Sequence, residues 1–399
     1  MANNCISKWR KLPVILTELC IETTLRCGQS FRWKKLQDNV WSCALHGRII
    51  SLKQDSDFLY YTTTWPTAPM NLTSTTSSTE GSSDKNDNTE ALLLNYLNLK
   101  PSLKAYYEHW SSVDPNFKKR APTFTGVRIL KQDAWEALIG FICSSNNNII
   151  RISQMVGNLC IHYGQLIGHI GDQAFYDFPS PKALSGTSVE SHLRDLGFGY
   201  RAGYIAKTAK IIMEIKPEGW LQSLHNQEPY DLSPSQSQIL DCGREGYREA
   251  HNQLLQLQGV GPKVADCVCL MGLGWCEAVP IDTHVLKIAQ RDYNFDNVKY
   301  KTLTKFTYNA IGDHFRKLWG REAGWAHSVL FAADLRVFSE RLSSSKDLLA
   351  LPVNEILEKN VEKRSFGMDE SSSKVQDDKA TVQLESLKVQ RMKRRKFVS

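Results

Sequence analysis

Between Leu255 and Cys267 the chain reads LQLQGVGPKVADC, and this stretch limits the possible fold more than any other. A Gly-Val-Gly turn leads into a segment in which Val264, Cys267, Val268 and Met271 recur at i, i+3, i+4 and i+7, the spacing of one helix face. Two helices joined by so short a turn fold back on each other as a helix-hairpin-helix. Gly259 and Gly261 are expected to supply positive φ and close backbone approach. Pro262 suits a first helical turn, where its missing N–H costs nothing. The second helix would then offer unpaired N–H groups and a positive dipole end to an anion such as phosphate. A glycine turn with no ligand at all fits the same letters.

The remainder of the chain divides by pattern. Residues 28 to 65 are rich in strand formers: Trp41, Cys43 and Leu45 alternate, LHGRIISL places a turn before an apolar run, and FLYYTTTW is aromatic and β-branched. They predict an antiparallel sheet. Residues 67–90 are rich in Ser, Thr and Asn with almost nothing to bury, which predicts a disordered loop. Helical spacing follows at Trp135, Leu138, Ile139 and Ile142, and again at Ile152, Met155, Val156 and Leu159. Residues 228–246 read as a second flexible loop. The expected class is α+β: an N-terminal antiparallel β domain over 1–120, an all-α helix-hairpin-helix domain over 121–343, and a disordered, basic-ended tail over 344–399.

Charge is concentrated rather than spread. The net charge is +7, and KVQRMKRRKFVS at 388–399 carries six Lys and Arg and no acid, leaving +1 for everything else. The body is therefore not a bulk polycation, and any nucleic-acid site in it has to be local. The tail reads as a nuclear import signal or a nonspecific phosphate binder. The acid-free start before Glu18 is also compatible with a mitochondrial fraction. No run approaches the ~18 apolar residues of a membrane span. The ten cysteines lack framework spacing and paired CxxC motifs, so reduced, mostly buried thiols are expected and no metal.

Lys263, placed directly after the turn, is the residue that suggests chemistry. A lysine amine becomes a nucleophile when desolvation or nearby charge favours its neutral form. A surface lysine at a helix start is the other reading. Asp282 lies nineteen residues on in AVPIDTHVLKIAQRDY. It is a good N-cap for the helix that follows, and a carboxylate there can also stabilise positive charge developing on a sugar. An amine, a carboxylate and a phosphate-gripping hairpin together point to cleavage of an N-glycosidic bond in DNA.

The motifs GQSFRW (28–33), HWSSVDPNF (109–117), FICSSNNNIIRI (141–152), LGFGYRAGYI (196–205), LQGVGPKVADCVCLM (257–271), AVPIDTHVLKIAQRDY (278–293) and GWAHSVLFAADLR (324–336) carry a resemblance. The chain resembles the eukaryotic 8-oxoguanine DNA glycosylase/AP lyases of the helix-hairpin-helix superfamily over most of residues 5–340. The resemblance implies that Lys263 forms a Schiff base with the sugar and that Asp282 is its essential partner. It implies that Gly28, through its backbone carbonyl, Pro280, Cys267, Asp282, His327 and Phe331 surround the extruded base. It assigns the DNA to Asn146, Arg151, Tyr200, Arg201, Gly259, Gly261 and His284. Asn146, Arg151 and Arg201 would hold the estranged cytosine, and Tyr200 would wedge into the duplex. The implied partner is double-stranded DNA with 8-oxoguanine opposite cytosine, bound by a monomer without cofactor.

Blander readings stand beside these. Gly28 can simply begin a strand, Cys267 can be helix core, Tyr200 can be an ordinary aromatic, and Asn147 and Asn148 are expected to cap a helix. Two departures from the family are visible: His327 stands where Gln is usual, and 228–246 is longer than the usual connection. No cysteine follows Cys276, which disfavours the iron–sulfur branch of the superfamily. The rival readings are a glycosylase of other specificity and a non-catalytic DNA-binding hairpin, to which Lys263 and Asp282 would be superfluous.

Overall fold

The computed structural model describes residues 5–66, 87–227, 243–295 and 301–338. Residues 67–86 of the predicted loop 67–90, residues 228–242 of the predicted loop 228–246, and the whole predicted tail 344–399 lie outside the described residues. Six strands form one antiparallel sheet: β1 (Cys5–Ile6), β2 (Arg10–Pro13), β3 (Lys34–Lys35), β4 (Trp41–Leu45), β5 (Arg48–Gln54) and β6 (Phe58–Trp65). β1 and β2 pair with successive lengths of β6, and the order continues through β5 and β4 to β3. β4 and β5 join through His46 and Gly47, both at positive φ, a turn whose twist matches that of the strands.

Trp41, Cys43 and Leu45 share one face with Ile50, Leu52, Leu59 and Tyr61, and pack on Leu93, Tyr96 and Leu97. Leu93 and Tyr96 belong to the helix Thr89–Tyr96, which starts inside the stretch expected to be loop. Its start is held by Asp87, whose carboxylate accepts from the Thr89 N–H at 3.0 Å. The helix Glu245–Leu254 likewise begins within the second predicted loop.

Alternation predicts that one face of the sheet stays wet, yet all five residues of β4 are buried. The reason is a hairpin in the helical half, β7 (Leu166–Ile170) paired with β8 (Gln173–Tyr176). Its Ile167 and Phe175 cover Ala44 and Ile49. The class is α+β, but the second half is not all helix.

Buried polar groups lock the two halves together. Arg32 forms a bidentate pair with Glu136 (2.9 and 2.7 Å) and donates to the carbonyls of Ala44 at 2.7 Å and Tyr176 at 3.3 Å. Glu136 sits in the helix Ala134–Ser144, which Asp133 caps. The spacing of that helix predicts one apolar stripe, but nine of its eleven residues are buried. Helices Pro262–Met271 and Ile149–Tyr163 pack against it, leaving no wet face.

Candidate active site

The hairpin consists of Glu245–Leu254, a turn, and Pro262–Met271. Gly259 has φ +77°, and a Cβ there would stand 2.4 Å from the Tyr204 ring, so only glycine fits. Gly261 corrects the expectation for the turn. Its φ is −95° and ψ 178°, ordinary extended backbone, with open space where a Cβ would be. It serves as an N-cap without a side chain, so nothing of its own competes for the first N–H groups of the lysine helix.

Lys263 is half-buried in the first turn of that helix. Its Nζ donates to Ser144 Oγ at 3.0 Å and lies 5.2 Å from the Phe141 ring centroid. Asp282 caps the helix Thr283–Asp292, its Oδ1 accepting from the N–H groups of His284 at 2.8 Å and Val285 at 2.9 Å. Both residues line two spaces. One is a broad groove of about 1160 Å³ that runs along the hairpin past Asn146, Asn147, Gly261 and Thr283. The other is a pocket of about 60 Å³ bounded by Gly28, Cys267, Pro280, His327 and Phe331 together with Cys27, Gln29, Phe141, Met271 and Ser328. The amine and the carboxylate therefore stand where a groove fit for a strand opens into a pocket fit for one group.

Each wall of the pocket has a physical cause. Gly28 has φ +83°, and an added Cβ would come within 3.1 Å of Ile149. Its neighbour Gln29 pins the segment: the side chain donates to the Arg128 carbonyl at 2.7 Å and accepts from the Leu130 N–H at 2.9 Å. The Gln29 carbonyl accepts from Gln132 at 2.9 Å. Burial pushes the Cys267 thiol up to about 11, even with Lys263 beside it, so it stays a neutral thiol. His327 is 6% exposed, and among the described residues neither ring nitrogen has a hydrogen-bond partner. Burial lowers its pKa to about 4, against the pull of Asp282, so the ring is neutral. A buried neutral imidazole with both nitrogens idle calls for a ligand that offers an acceptor or a donor. Phe331 is half-buried, 6.1 Å from the His327 ring and 5.3 Å from that of His284. His284 in turn has Nε2 2.9 Å from an Asp334 carboxylate oxygen.

The remaining candidates gather along an outer edge. Asn146 is exposed at φ +48°, and Arg151 is exposed on the helix Ile149–Tyr163. Asn148 caps that helix by accepting from the Arg151 N–H at 3.0 Å, and Asn147 donates to the Cys143 carbonyl at 3.0 Å. Tyr200 is 47% exposed and its hydroxyl donates to the Ser145 carbonyl at 3.1 Å. Arg201 is 4% exposed and donates to the carbonyls of Ser145 and Asn146, the latter at 3.2 Å. Its Nε is buried and without a partner. The structure thus brings Lys263, Asp282, Gly28, Pro280, Cys267, His327 and Phe331 to one pocket and sets Asn146, Arg151, Tyr200 and Arg201 beside it.

Residues 11–138 match the N-terminal domain of 8-oxoguanine DNA glycosylases, and residues 139–311 match the HhH-GPD superfamily of base excision DNA repair proteins. The chain is 38% identical over 353 residues to the N-glycosylase/DNA lyase of Saccharomyces cerevisiae, spanning 82% of this chain and 86% of that protein. The chain belongs to the 8-oxoguanine DNA glycosylase family. It is a bifunctional N-glycosylase/DNA lyase of base excision repair. The N-glycosylase/DNA lyase OGG1 of Arabidopsis thaliana is 34% identical over 357 residues, 88% of this glycosylase and 85% of the relative. A solved structure of MBOgg1 in complex with a low affinity DNA ligand matches with a TM-score of 0.61 at 26% identity, over 83% of this chain and 98% of that one. The Clostridium acetobutylicum 8-oxoguanine glycosylase/lyase, solved with double-stranded DNA containing cytosine opposite 8-oxoG, shares the fold with a TM-score of 0.61 at 23% identity, over 79% and 91%.

Several residues of the glycosylase site escaped the sequence reading. Ser144 and Phe141, which hold Lys263, lie in the quoted FICSSNNNIIRI motif, so a signal was present. Met271 and Ser328 also lie in quoted motifs, whereas Cys27 lies outside them and only the folded pocket shows it. Ile150, 74% exposed beside Arg151, is an apolar side chain on the otherwise polar edge.

Proposed function

We propose that Lys263 attacks C1′ of the damaged nucleotide while Asp282 stabilises the positive charge that develops on the sugar. The N-glycosidic bond breaks, the base leaves with its electron pair, and loss of the ring oxygen bond gives a Schiff base on Nζ. Loss of a C2′ proton to solvent then expels the 3′ phosphate with the C3′–O bonding pair, which cuts the strand. The carrying observation is that amine and carboxylate share the rim where the groove meets the pocket. The groove takes the strand, with the first turn of the lysine helix set to receive a phosphate, and the pocket takes the base.

The substrate is 8-oxoguanine opposite cytosine in duplex DNA, with formamidopyrimidine as a second lesion. Extrusion of a base costs a few kcal/mol, so the vacated stack needs filling and its partner needs holding. Tyr200 fills the gap, and Asn146, Arg151 and Arg201 hold the cytosine. Inside the pocket the Gly28 carbonyl accepts the N7 proton that guanine lacks. His327 reads the Watson–Crick edge with one donor and one acceptor on opposite ring edges, where the family's usual Gln carries both on one amide. A pocket of about 60 Å³ is well below the roughly 300–1,000 Å³ of small-molecule sites, so Phe331 turns aside as the base enters. The enzyme acts as a monomer, and the basic tail directs it to the nucleus.

The test is borohydride trapping on duplexes containing 8-oxoguanine·C, 8-oxoguanine·A or undamaged G·C. The expected result is a covalent adduct with 8-oxoguanine·C that vanishes in Lys263→Gln. No adduct on any duplex, or one that survives the substitution, overturns the mechanism. For His327, His327→Gln is expected to change the relative rates on 8-oxoguanine and formamidopyrimidine; unchanged rates refute its role.

A further inference from the structure

Beside the lysine helix, where Tyr247, His251 and Tyr308 also line the groove, lies a polar cluster that the mechanism above does not use. Asp266, three residues after Lys263, is 1% exposed. A buried carboxylate is costly unless its oxygens are bonded, and here both are. Tyr247, from the first hairpin helix, donates to Oδ1 at 2.6 Å, and Tyr308, from the helix Lys305–Trp319, donates to Oδ2. His251 Nε2 stands 3.6 Å from Oδ1, and the Arg316 guanidinium lies 5.8 Å from the Tyr247 ring. The Tyr308 hydroxyl has a second partner: it accepts from the Ile281 N–H at 3.4 Å. Ile281 immediately precedes Asp282.

We infer that Asp266 and Tyr308 are positioning residues for Asp282, forming a brace from the helix that carries the nucleophile to the main chain that carries the carboxylate. Donation to Asp266 orients the Tyr308 hydroxyl so that a lone pair faces Ile281. On the far side, the two N–H groups of its own helix hold the Asp282 carboxylate. Asp282 is thus fixed before and after its Cα, and its distance from Lys263 is set by a tyrosine rather than by direct contact with the amine. This inference rests on the proposed roles of Lys263 and Asp282.

The brace serves the step in which charge develops on the sugar, because only that step uses the Asp282 carboxylate. Schiff-base formation on a site that is already abasic breaks no glycosidic bond and should be spared. Tyr308→Phe keeps the ring and removes the hydroxyl. In the full chain it is expected to slow single-turnover excision of 8-oxoguanine about tenfold. Binding to a tetrahydrofuran-containing duplex and trapping on a preformed abasic duplex are both expected to stay within about twofold. Asp266→Asn keeps one acceptor oxygen and is expected to slow excision less. Tyr308→Phe added to Asp266→Asn should cost less than it does alone, because the two act as one unit.

The inference is overturned if Tyr308→Phe excises within about twofold of the unsubstituted chain, if excision, binding and abasic trapping fall together, or if the two substitutions act additively. If Tyr308→Phe fails to fold, Asp266→Asn alone decides between the same outcomes. Failure of the underlying mechanism looks different: the unsubstituted chain would not trap, or Lys263→Gln would.

Discussion

Around Gly28, Cys267 and His327 each pocket wall is held by something buried behind it, whereas at Asn146, Ile150 and Arg151 the side chains stand in solvent. The pocket is backed by Gln29 clamped to the 128–132 segment and by Arg32 paired with Glu136. At the edge the backbone is fixed, by the Asn148 cap and by the carbonyls that Tyr200 and Arg201 hold, while the side chains of Asn146, Ile150 and Arg151 are exposed. A pocket that rejects a base differing by one carbonyl and one proton needs rigid walls, since a wall that yields discriminates poorly. An edge that meets a bent duplex benefits from long side chains free to adjust. Under the proposed function the two regions divide the work: one reads, the other accommodates.

Substitutions can break that contrast, and the largest effect belongs behind the pocket. Glu136→Ala leaves the Arg32 guanidinium buried and unpaired, which costs about 3–5 kcal/mol; urea unfolding should show it as a lowered midpoint. Next comes His327. Its folded pKa of about 4 lies below the ordinary 6.5, so the unfolded chain binds the extra proton first as the pH falls. The stability from keeping this ring neutral is complete above pH 6.5 and is lost between 6.5 and about 4, amounting to about 3 kcal/mol. His327→Gln should flatten that part of the stability profile, and an unchanged acid limb would show that the ring is not buried neutral.

Gly28→Ala should cost about 1–2 kcal/mol from its positive φ, with the Ile149 contact adding to the strain. It should also slow excision more than it weakens binding to an abasic analogue. The smallest effect belongs to the edge. Ile150→Ala and Arg151→Ala should each leave stability within about 0.5 kcal/mol, and Asn146→Ala should cost up to about 1 kcal/mol because its φ of +48° suits Asn better than Ala. Asn146→Ala and Arg151→Ala should also narrow the preference for cytosine over adenine opposite the lesion. If these edge substitutions unfolded the protein as readily as Glu136→Ala, the contrast would be false.

The placement of Lys263 and Asp282 could be read from the chain because it depends on local signals: a glycine turn, a helix start and an N-cap. The sheet was readable for the same reason, from alternation and turn residues. The β7–β8 hairpin was not, because its strands are short and include His169, Gly168 and Gln173 in place of a clean apolar alternation. Gly261 misled because a glycine near a turn suggests positive φ, although here the turn needs it only at Gly259. Asp266 and Tyr308 were invisible for a deeper reason. A carboxylate in a helix looks solvated until a tyrosine more than forty residues away is brought against it.

The packing of Gly259 on Tyr204 carries a consequence for how DNA is searched. Tyr204 sits one turn from Tyr200 on the helix Arg201–Lys210 or at its start, and Thr208 of that helix donates to the Gln258 carbonyl at 3.1 Å. The hairpin proposed to grip a phosphate and the tyrosine proposed to enter the stack are therefore parts of one stiff body, like the jaws of a fixed gauge. A duplex held at both places as proposed would have to bend to fill such a gauge. Each encounter then tests how easily that stretch of DNA kinks, before any base is presented to the pocket.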